Sequence, residues 1–372
     1  MPTKRVTHVA TTDIADMMKP GPERRMNLPG YDREFVDFPH YIIRITEQIW
    51  HERQVDLCLR YYASDAAIHT LGGDVIGAQT VVDNTWATLA AFPDRRLDGD
   101  NVIWSSEPGS ALYSSHLITS KMTNLGASEF GPATSKKVRV LTIADCLCRE
   151  NKIVEEWLAR DNLGLVRQLG FDELAIAERQ AQADRDRKFS LIDFHERNRA
   201  KVVSATRPAG RNSTKTTVAF GVVQRIFSGI WNERAYADLP SLYDYRVDAM
   251  YPGSVRLYGH DEVRGVLGEL FTAVPDARVS IDHVAEIPYL GDARDVAVRW
   301  SLTGTHMGGG RYGAPSGAAV YILGISHFRV MRGRVREERT VWDDVAVLRQ
   351  IATARLNPMT KPRAAKSRPP TT

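Results

Sequence analysis

Ile49-Trp50-His51-Glu52-Arg53 returns later in the chain as Ile230-Trp231-Asn232-Glu233-Arg234, with the two tryptophans 181 residues apart. Working outward, Ala91-Phe92-Pro93-Asp94 answers to Ala273-Val274-Pro275-Asp276, and Gly77 to Gly259, both at an offset of 182. Glu155-Glu156 and Glu337-Glu338, Asp161 and Asp343, and Val166-Arg167-Gln168 and Leu348-Arg349-Gln350 keep the offset of 182. A spacing held over more than a hundred residues marks a duplicated segment. Two copies of one fold are therefore expected in the chain of 372 residues, each long enough for its own core.

Both copies predict the same order of elements. A helix comes first, over Phe35 to Tyr62 or Thr217 to Tyr243, with Ile42, Ile45, Ile49 and Trp50, or Val222, Ile226, Ile230 and Trp231, at helical spacing. A short strand follows, Ala66 to Thr70 or Ala249 to Tyr251. A glycine then opens a second helix that stops at the Pro-Asp pair, because proline cannot continue a helix. Four strands rich in β-branched residues come next: Arg95 to Ser105, Ala111 to Asn124, Lys137 to Cys148 and Lys152 to Ala159 in copy one. Copy two has Ala277 to Pro288, Asp295 to His306, Ala318 to Met331 and Arg334 to Val341. Glu150-Asn151 and Arg332-Gly333 predict tight hairpins, and Asp161 and Asp343 predict N-caps of a last helix. The expected division is a flexible N-terminal arm (1–34), domain one (35–170), a helical linker (171–216), domain two (217–353) and a disordered basic tail (354–372). Asp172 to Val203 reads as an exposed helix and Thr206 to Lys215 as a flexible joint.

Composition excludes several classes. The hydrophobic fraction of 43% and charged fraction of 25% are ordinary for a globular chain. The net charge of +4 draws on Lys361, Arg363, Lys366 and Arg368 of the tail, so it predicts no nucleic-acid face. No apolar run approaches the roughly 18 residues needed to span a bilayer, and Met1 to Pro29 lacks a signal-peptide core, which predicts a cytoplasmic protein. Three cysteines, Cys58, Cys146 and Cys148, suit no disulfide framework. Cys146 and Cys148 share one strand face, but no further ligand stands at finger-like spacing, so no metal is expected.

Helix, helix and a strongly bent antiparallel sheet resemble the cone of nuclear transport factor 2-like proteins. Particular strings resemble the SnoaL-like polyketide cyclase branch of that superfamily. In copy two these are Val298-Arg299-Trp300-Ser301-Leu302-Thr303-Gly304-Thr305-His306, Ala314-Pro315-Ser316-Gly317, Gly333-Arg334-Val335-Arg336-Glu337-Glu338 and Leu348-Arg349-Gln350. In copy one they are Lys152-Ile153-Val154-Glu155-Glu156-Trp157 and Leu165-Val166-Arg167-Gln168-Leu169-Gly170. The resemblance implies an α+β fold of two tandem cones, each with helices packed on a curved antiparallel sheet and an apolar pocket holding a few polar groups.

The cyclases of this branch use an Asp on the last strand as general acid/base. That position falls on Leu158 and Thr340, which cannot serve, so the cyclase mechanism does not carry over. Their supporting His falls on Ala144 and Ser326; Asp145 and His327 lie one residue along and face the other way. Glu156 and Glu338, two residues before the lost Asp, keep its face and are the leading acid/base candidates, set against a purely structural role. His306, at the end of the central strand, and His69, on the short strand, are further catalytic candidates, each set against a structural role. Lys121 is read as the copy-one partner of His306, and Tyr251 stands where copy one has His69. Trp50 and Trp231 are candidates for a pocket floor, or simply for core. With Tyr251, Lys121, Thr340, Leu158 and Ser326 they make up the expected pocket lining, with copy two favoured as the closer family match.

Two functions compete. One is a cofactor-free enzyme (isomerase, lyase, cyclase or hydrolase) acting by proton transfer on a small or medium organic molecule. The other is a non-catalytic ligand-binding or scaffold protein whose cones dock on each other as an intramolecular pair, with a homodimer also open.

Overall fold

The computed structural model of the protein describes residues 25–189, 191–204 and 217–356. The expected joint at Thr206 to Lys215, residues 1–24 of the arm and residues 357–372 of the tail lie outside them. Copy one comprises α1 (Phe38–Trp50), α2 (Leu57–Tyr61), β1 (Tyr62–Thr70), β2 (Gly73–Ile76), α3 (Ala78–Ala91), β3 (Arg96–Ser106), β4 (Leu112–Thr123), β5 (Lys137–Arg149), β6 (Lys152–Arg160) and α4 (Asn162–Leu169). Two helices, α5 (Glu173–Asp186) and α6 (Leu191–Ser204), lead towards copy two. Copy two comprises α7 (Val218–Arg225), α8 (Leu239–Leu242), β7 (Tyr243–Tyr251), β8 (Val255–Tyr258), α9 (Gly259–Ala273), β9 (Arg278–Pro288), β10 (Arg294–Thr305), β11 (Ala319–Met331), β12 (Arg334–Trp342) and α10 (Asp344–Leu356).

Each copy forms a six-stranded sheet, in order β2-β1-β6-β5-β4-β3 and β8-β7-β12-β11-β10-β9. The sheets are wider than the four antiparallel strands expected, because the short strand and its hairpin partner join the edge. β1 and β7 pair parallel to β6 and β12. The expected first helix is broken in both copies. Asp37 caps α1 by accepting from the His40 amide at 2.8 Å, and the helix stops before Arg53, whose φ of 63° is left-handed. Arg234 repeats that conformation at 60°.

The repeated strings are now physically accounted for. Arg53 donates to the Pro93 carbonyl at 2.7 Å, and Arg234 to that of Pro275 at 3.5 Å, tying the broken helix to the Pro-Asp corner. Asp94 accepts from the Thr123 amide and hydroxyl at 2.7 and 2.6 Å. Asp276 does the same for Thr305 at 2.7 and 2.9 Å. Glu150 and Asn151, and Arg332 and Gly333, all have positive φ, the mirror-image turn that suits a twisted hairpin. Asp161 caps α4 by accepting from the Gly164 amide, and Asp343 accepts from that of Ala346.

The linker differs from a single exposed helix. It breaks after Asp186, with Lys188 at φ 56°, and α5 buries Ile176, Ala177, Ala181 and Asp184. Asp184 accepts from Arg349 of α10 at 2.6 and 2.5 Å. The end of the N-terminal arm is also packed rather than free: Tyr31 sits edge-on to Tyr41 at 5.0 Å, and Asp32 pairs with Arg60 at 2.8 Å.

The outer faces of the two sheets meet. Leu117, Ile143 and Ala159 of copy one share a cluster with Ile325 and Val341 of copy two. Around it, Asn101 donates to Asp295 at 2.8 Å, Ser115 bonds His327 at 2.7 Å and Glu107 bonds His283 at 3.1 Å. Arg299 lies 3.4 Å over the Trp157 ring. Each cone therefore turns its inner face towards its own helices and its outer face towards the other cone.

Candidate functional site

Strand parity decides which side chains enter a cone. In copy one, His116, Ile118 and Ser120 of β4 and Thr142, Ala144 and Cys146 of β5 point inward. The β5–β6 register slips between Leu147 and Cys148, and Glu156, Leu158 and Arg160 of β6 then face the same space. Trp50 of α1, Tyr62 and Arg95 close it, leaving a cavity of about 90 Å³. A single water needs roughly 10–15 Å³, so the space holds several waters or one compact organic molecule.

The lining is polar where it counts. Glu156, 7% exposed, accepts one hydrogen bond among the described residues, from the Tyr62 hydroxyl at 2.9 Å. Burial pushes its carboxyl above the usual range, with the Tyr62 bond and Arg160 acting in the opposite sense. Burial pulls His116 the other way, down to about 4. Its Nε2 is buried without a partner, as are Arg95 Nε, Arg160 Nε and Thr142 Oγ1. The His116 ring has room because Gly99 has no side chain: a Cβ there would lie 2.8 Å from Nε2. Gly99→Ala is expected to displace the ring at a cost of about 1–3 kcal/mol. An NMR titration should then show the His116 pKa rising towards its ordinary value, whereas an unchanged pKa would mean that Gly99 does not set the ring's place.

Cone two is filled. At the offset of 182, Ile118 becomes Trp300, Arg160 becomes Trp342, Thr142 becomes Gly324, His116 becomes Val298 and Arg95 becomes Ala277. Trp231, Trp300 and Trp342 are fully buried and pack edge-to-face, with centroids 4.9 and 5.9 Å apart. Trp300 fits only because residue 324 is glycine, whose Cβ would stand 2.1 Å from the indole. Glu338, 0% exposed, accepts from Tyr251 at 2.7 Å, Tyr243 at 3.0 Å and Thr340 at 2.6 Å. Ser326 lies 2.8 Å from the Thr340 hydroxyl and accepts from the Trp300 indole at 2.9 Å. Burial raises the Glu338 carboxyl too, against those three hydrogen bonds, but the group is sealed.

The expected site residues thus separate. Glu156, Trp50 and Leu158 share the copy-one cavity. Glu338, Trp231, Tyr251, Thr340 and Ser326 belong to the packed interior of cone two, which corrects the preference for copy two. His69 is a second correction. β1 pairs Ile68 with Glu156, so His69 lies on the opposite sheet face, bonded to Asp74 at 2.9 Å and Glu155 at 3.0 Å. Burial works against its charge, but those carboxylates outweigh it and hold its pKa up to about 9. His306 is a third: it is buried, bonded to Ser316 at 2.9 Å and edge-on to Tyr312, where it anchors a loop. Its counterpart at offset 182 is Asn124, not Lys121, and Asn124 anchors the matching loop through the Thr134 amide at 2.9 Å. Lys121 is exposed on the outer face and paired with Asp98.

His116, Arg95 and Arg160 escaped sequence reasoning. The signal was present in the repeat, since each is polar in copy one and apolar in copy two. A larger groove, about 1120 Å³, runs between the cones. Part of its charge is paired within the lining, as in Arg329–Asp295 at 2.8 Å and Arg329–Glu337 at 3.2 Å. It is wider and more open than the cone-one cavity, and the buried polar atoms without partners in the smaller space make that the better candidate for chemistry. No group of three or more His, Cys, Asp or Glu among the described residues is placed to hold a metal ion. The cysteines are buried and free, with burial holding the Cys146 and Cys148 thiols well above their ordinary pKa. No described helix is long and apolar enough to cross a membrane.

A curved sheet closed by helices around an inward-facing pocket defines the nuclear transport factor 2-like class, here in two tandem α+β domains. Within that class the chain belongs to the SnoaL-like polyketide cyclase family, whose model matches residues 40–169 and 221–351. Similar solved structures include one described as a SnoaL-like polyketide cyclase from Jannaschia sp. CCS1, at 23% identity, covering 39% of this chain and 98% of that one, TM-score 0.34. IdmH from Streptomyces antibioticus is similar at 20% identity, covering 36% and 97%, TM-score 0.31. No curated protein matches the chain.

Proposed function

We propose that cone one is a cofactor-free proton-transfer site for a compact organic molecule, and that cone two is its non-catalytic support. The carrying observation is the copy-one cavity, where two groups with oppositely shifted pKa values line one space. Burial favours the protonated, proton-donating form of Glu156, while His116, pulled down to about 4, is a neutral imidazole near neutral pH and can accept a proton. An isomerase, lyase, cyclase or hydrolase reaction needs such a pair. The volume argues for a compact substrate, since clefts for drug-sized ligands run to roughly 300–1,000 Å³. The packing of the two outer sheet faces supports reading the chain as an intramolecular pair of cones.

Solvent deuterium exchange into a panel of small organic acids, ketones and esters, followed by NMR, tests this. Glu156→Gln is expected to slow exchange about 10²–10⁴-fold, and Glu338→Gln to leave it alone. Equal rates in Glu156→Gln and the parent would sink the assignment. Compounds that bind without exchange would favour a non-catalytic binding protein, a reading supported by the cavity-free packing of cone two. Stability gives a second readout. A carboxyl whose folded pKa is raised contributes fully below its unfolded pKa, near ~4.3, and that contribution is lost as pH rises through the folded value. Glu156→Gln should therefore gain stability relative to the parent in thermal melts as pH rises above ~4.3.

A further inference from the structure

The two arginines of cone one have no job in the fold. Arg95 is 6% exposed, yet its hydrogen bond, to Ser120, is at the 3.5 Å limit and its Nε has no partner. Its guanidinium lies 4.5 Å over the Trp50 ring. Arg160 Nε is likewise buried and unpaired, and neither arginine is in an ion pair among the described residues. Burial and the neighbouring Arg160 charge together pull Arg95 down to about 9, so it is still a cation at neutral pH. Glu156 is in no ion pair with either among the described residues, and its carboxyl accepts from the Tyr62 hydroxyl instead. Two guanidiniums beside a cavity without an ion-pair partner are costly, and copy two dispenses with both, carrying Ala277 and Trp342 instead.

We propose that cone one binds a small organic carboxylate whose anionic head seats on Arg95 and Arg160. The Thr142 hydroxyl, unpaired and buried, supplies a further donor. The rest of the wall, Ile42, Ile49, Leu97 and Leu158, suits a short apolar body, which distinguishes an organic acid from a bare inorganic anion. This rests on the reading of cone one as the working cavity and names the class of molecule it takes. The bound head neutralises the arginines and leaves the carbon chain among Glu156, His116 and the aliphatic wall.

Thermal melts of the full chain with propionate, butyrate, the matching amides and inorganic phosphate test the proposal. The carboxylates are expected to raise Tm by roughly 3–5 °C at a hundredfold excess over Kd, and the amides to leave it unchanged. Arg95→Met should fold and weaken carboxylate binding ~10–100-fold, with Arg160→Met as the second variant should the first be unstable. Lys121→Gln, which removes an exposed cation outside the cone, should retain the carboxylate shift, so that a general charge effect is told apart from the site. A carboxylate shift without any deuterium exchange would leave the inference standing and fell the proton-transfer proposal. No shift with carboxylates, an equal shift with amides, or an equal shift with phosphate would overturn the inference even if exchange were found.

Discussion

Trp300→Ala is expected to cost the second cone about 3–5 kcal/mol, the range for emptying a buried aromatic site. The indole is fully buried between Trp231 and Trp342, and its N–H satisfies Ser326. Neighbours cannot collapse into the gap, because the strand opposite offers only Gly324. Chemical denaturation of the two-domain chain should show an early transition assigned to cone two, with cone one and its ligand binding retained. A loss below about 1 kcal/mol would mean that cone two is not close-packed around this residue, and would reopen it as a candidate site.

Asp344→Ala is expected to cost a similar ~3–5 kcal/mol, for an electrostatic reason: removing one member of a buried ion pair strands the other. Asp344 is 1% exposed. It accepts from Arg311 Nε at 2.8 Å, the Tyr312 hydroxyl at 2.7 Å and the Trp342 indole at 2.5 Å. Three donors from two places along the chain thus depend on one carboxylate. Asp344→Asn, which keeps an acceptor but loses the charge, should fall between the parent and Asp344→Ala. Denaturant midpoints of the three proteins check the order, and equal midpoints would remove the charge from the account. Copy one has Asn162 at this position, so the cluster was built in one copy only.

Both expectations bear on the division of labour. Cone two has spent its interior on aromatic packing and on the hydrogen bonds that close around Glu338, with the Trp231 indole N–H left without a partner. Cone one leaves four polar atoms (Arg95 Nε, His116 Nε2, Thr142 Oγ1 and Arg160 Nε) unpaired beside a cavity. Buried donors and acceptors are rarely left unmade in a finished core, so the imbalance is better explained by a ligand than by the fold.

Much of this is legible in the order of amino acids alone. The offset of 182 marks the duplication, and the Pro-Asp corners, the hairpin turns and the Asp caps stand where local chemistry puts them. Inward parity on β6 places Glu156 on the cavity side without further information. Less is legible wherever distant segments decide. The face of His69 depends on the parallel register of β1 against β6, some 87 residues away in the chain, and no local pattern encodes that. The first helices are overrun because Arg53 and Arg234 enter the left-handed region, which a period of 3.6 does not show. Between the catalytic and the structural reading of His306 the sequence cannot choose, because the loop carrying Ser316 returns to it from ten residues on.

The sequence by itself therefore determined the repeat, the order of elements and the alternation of faces along each strand, since these follow from short-range sterics and from periods of two and 3.6. The tertiary structure alone decided which cone is hollow. Whether a cavity survives is set by the summed volume of side chains from a helix, a corner and three strands, and exchanges such as Ile118 for Trp300 and Thr142 for Gly324 act only when those strands are side by side.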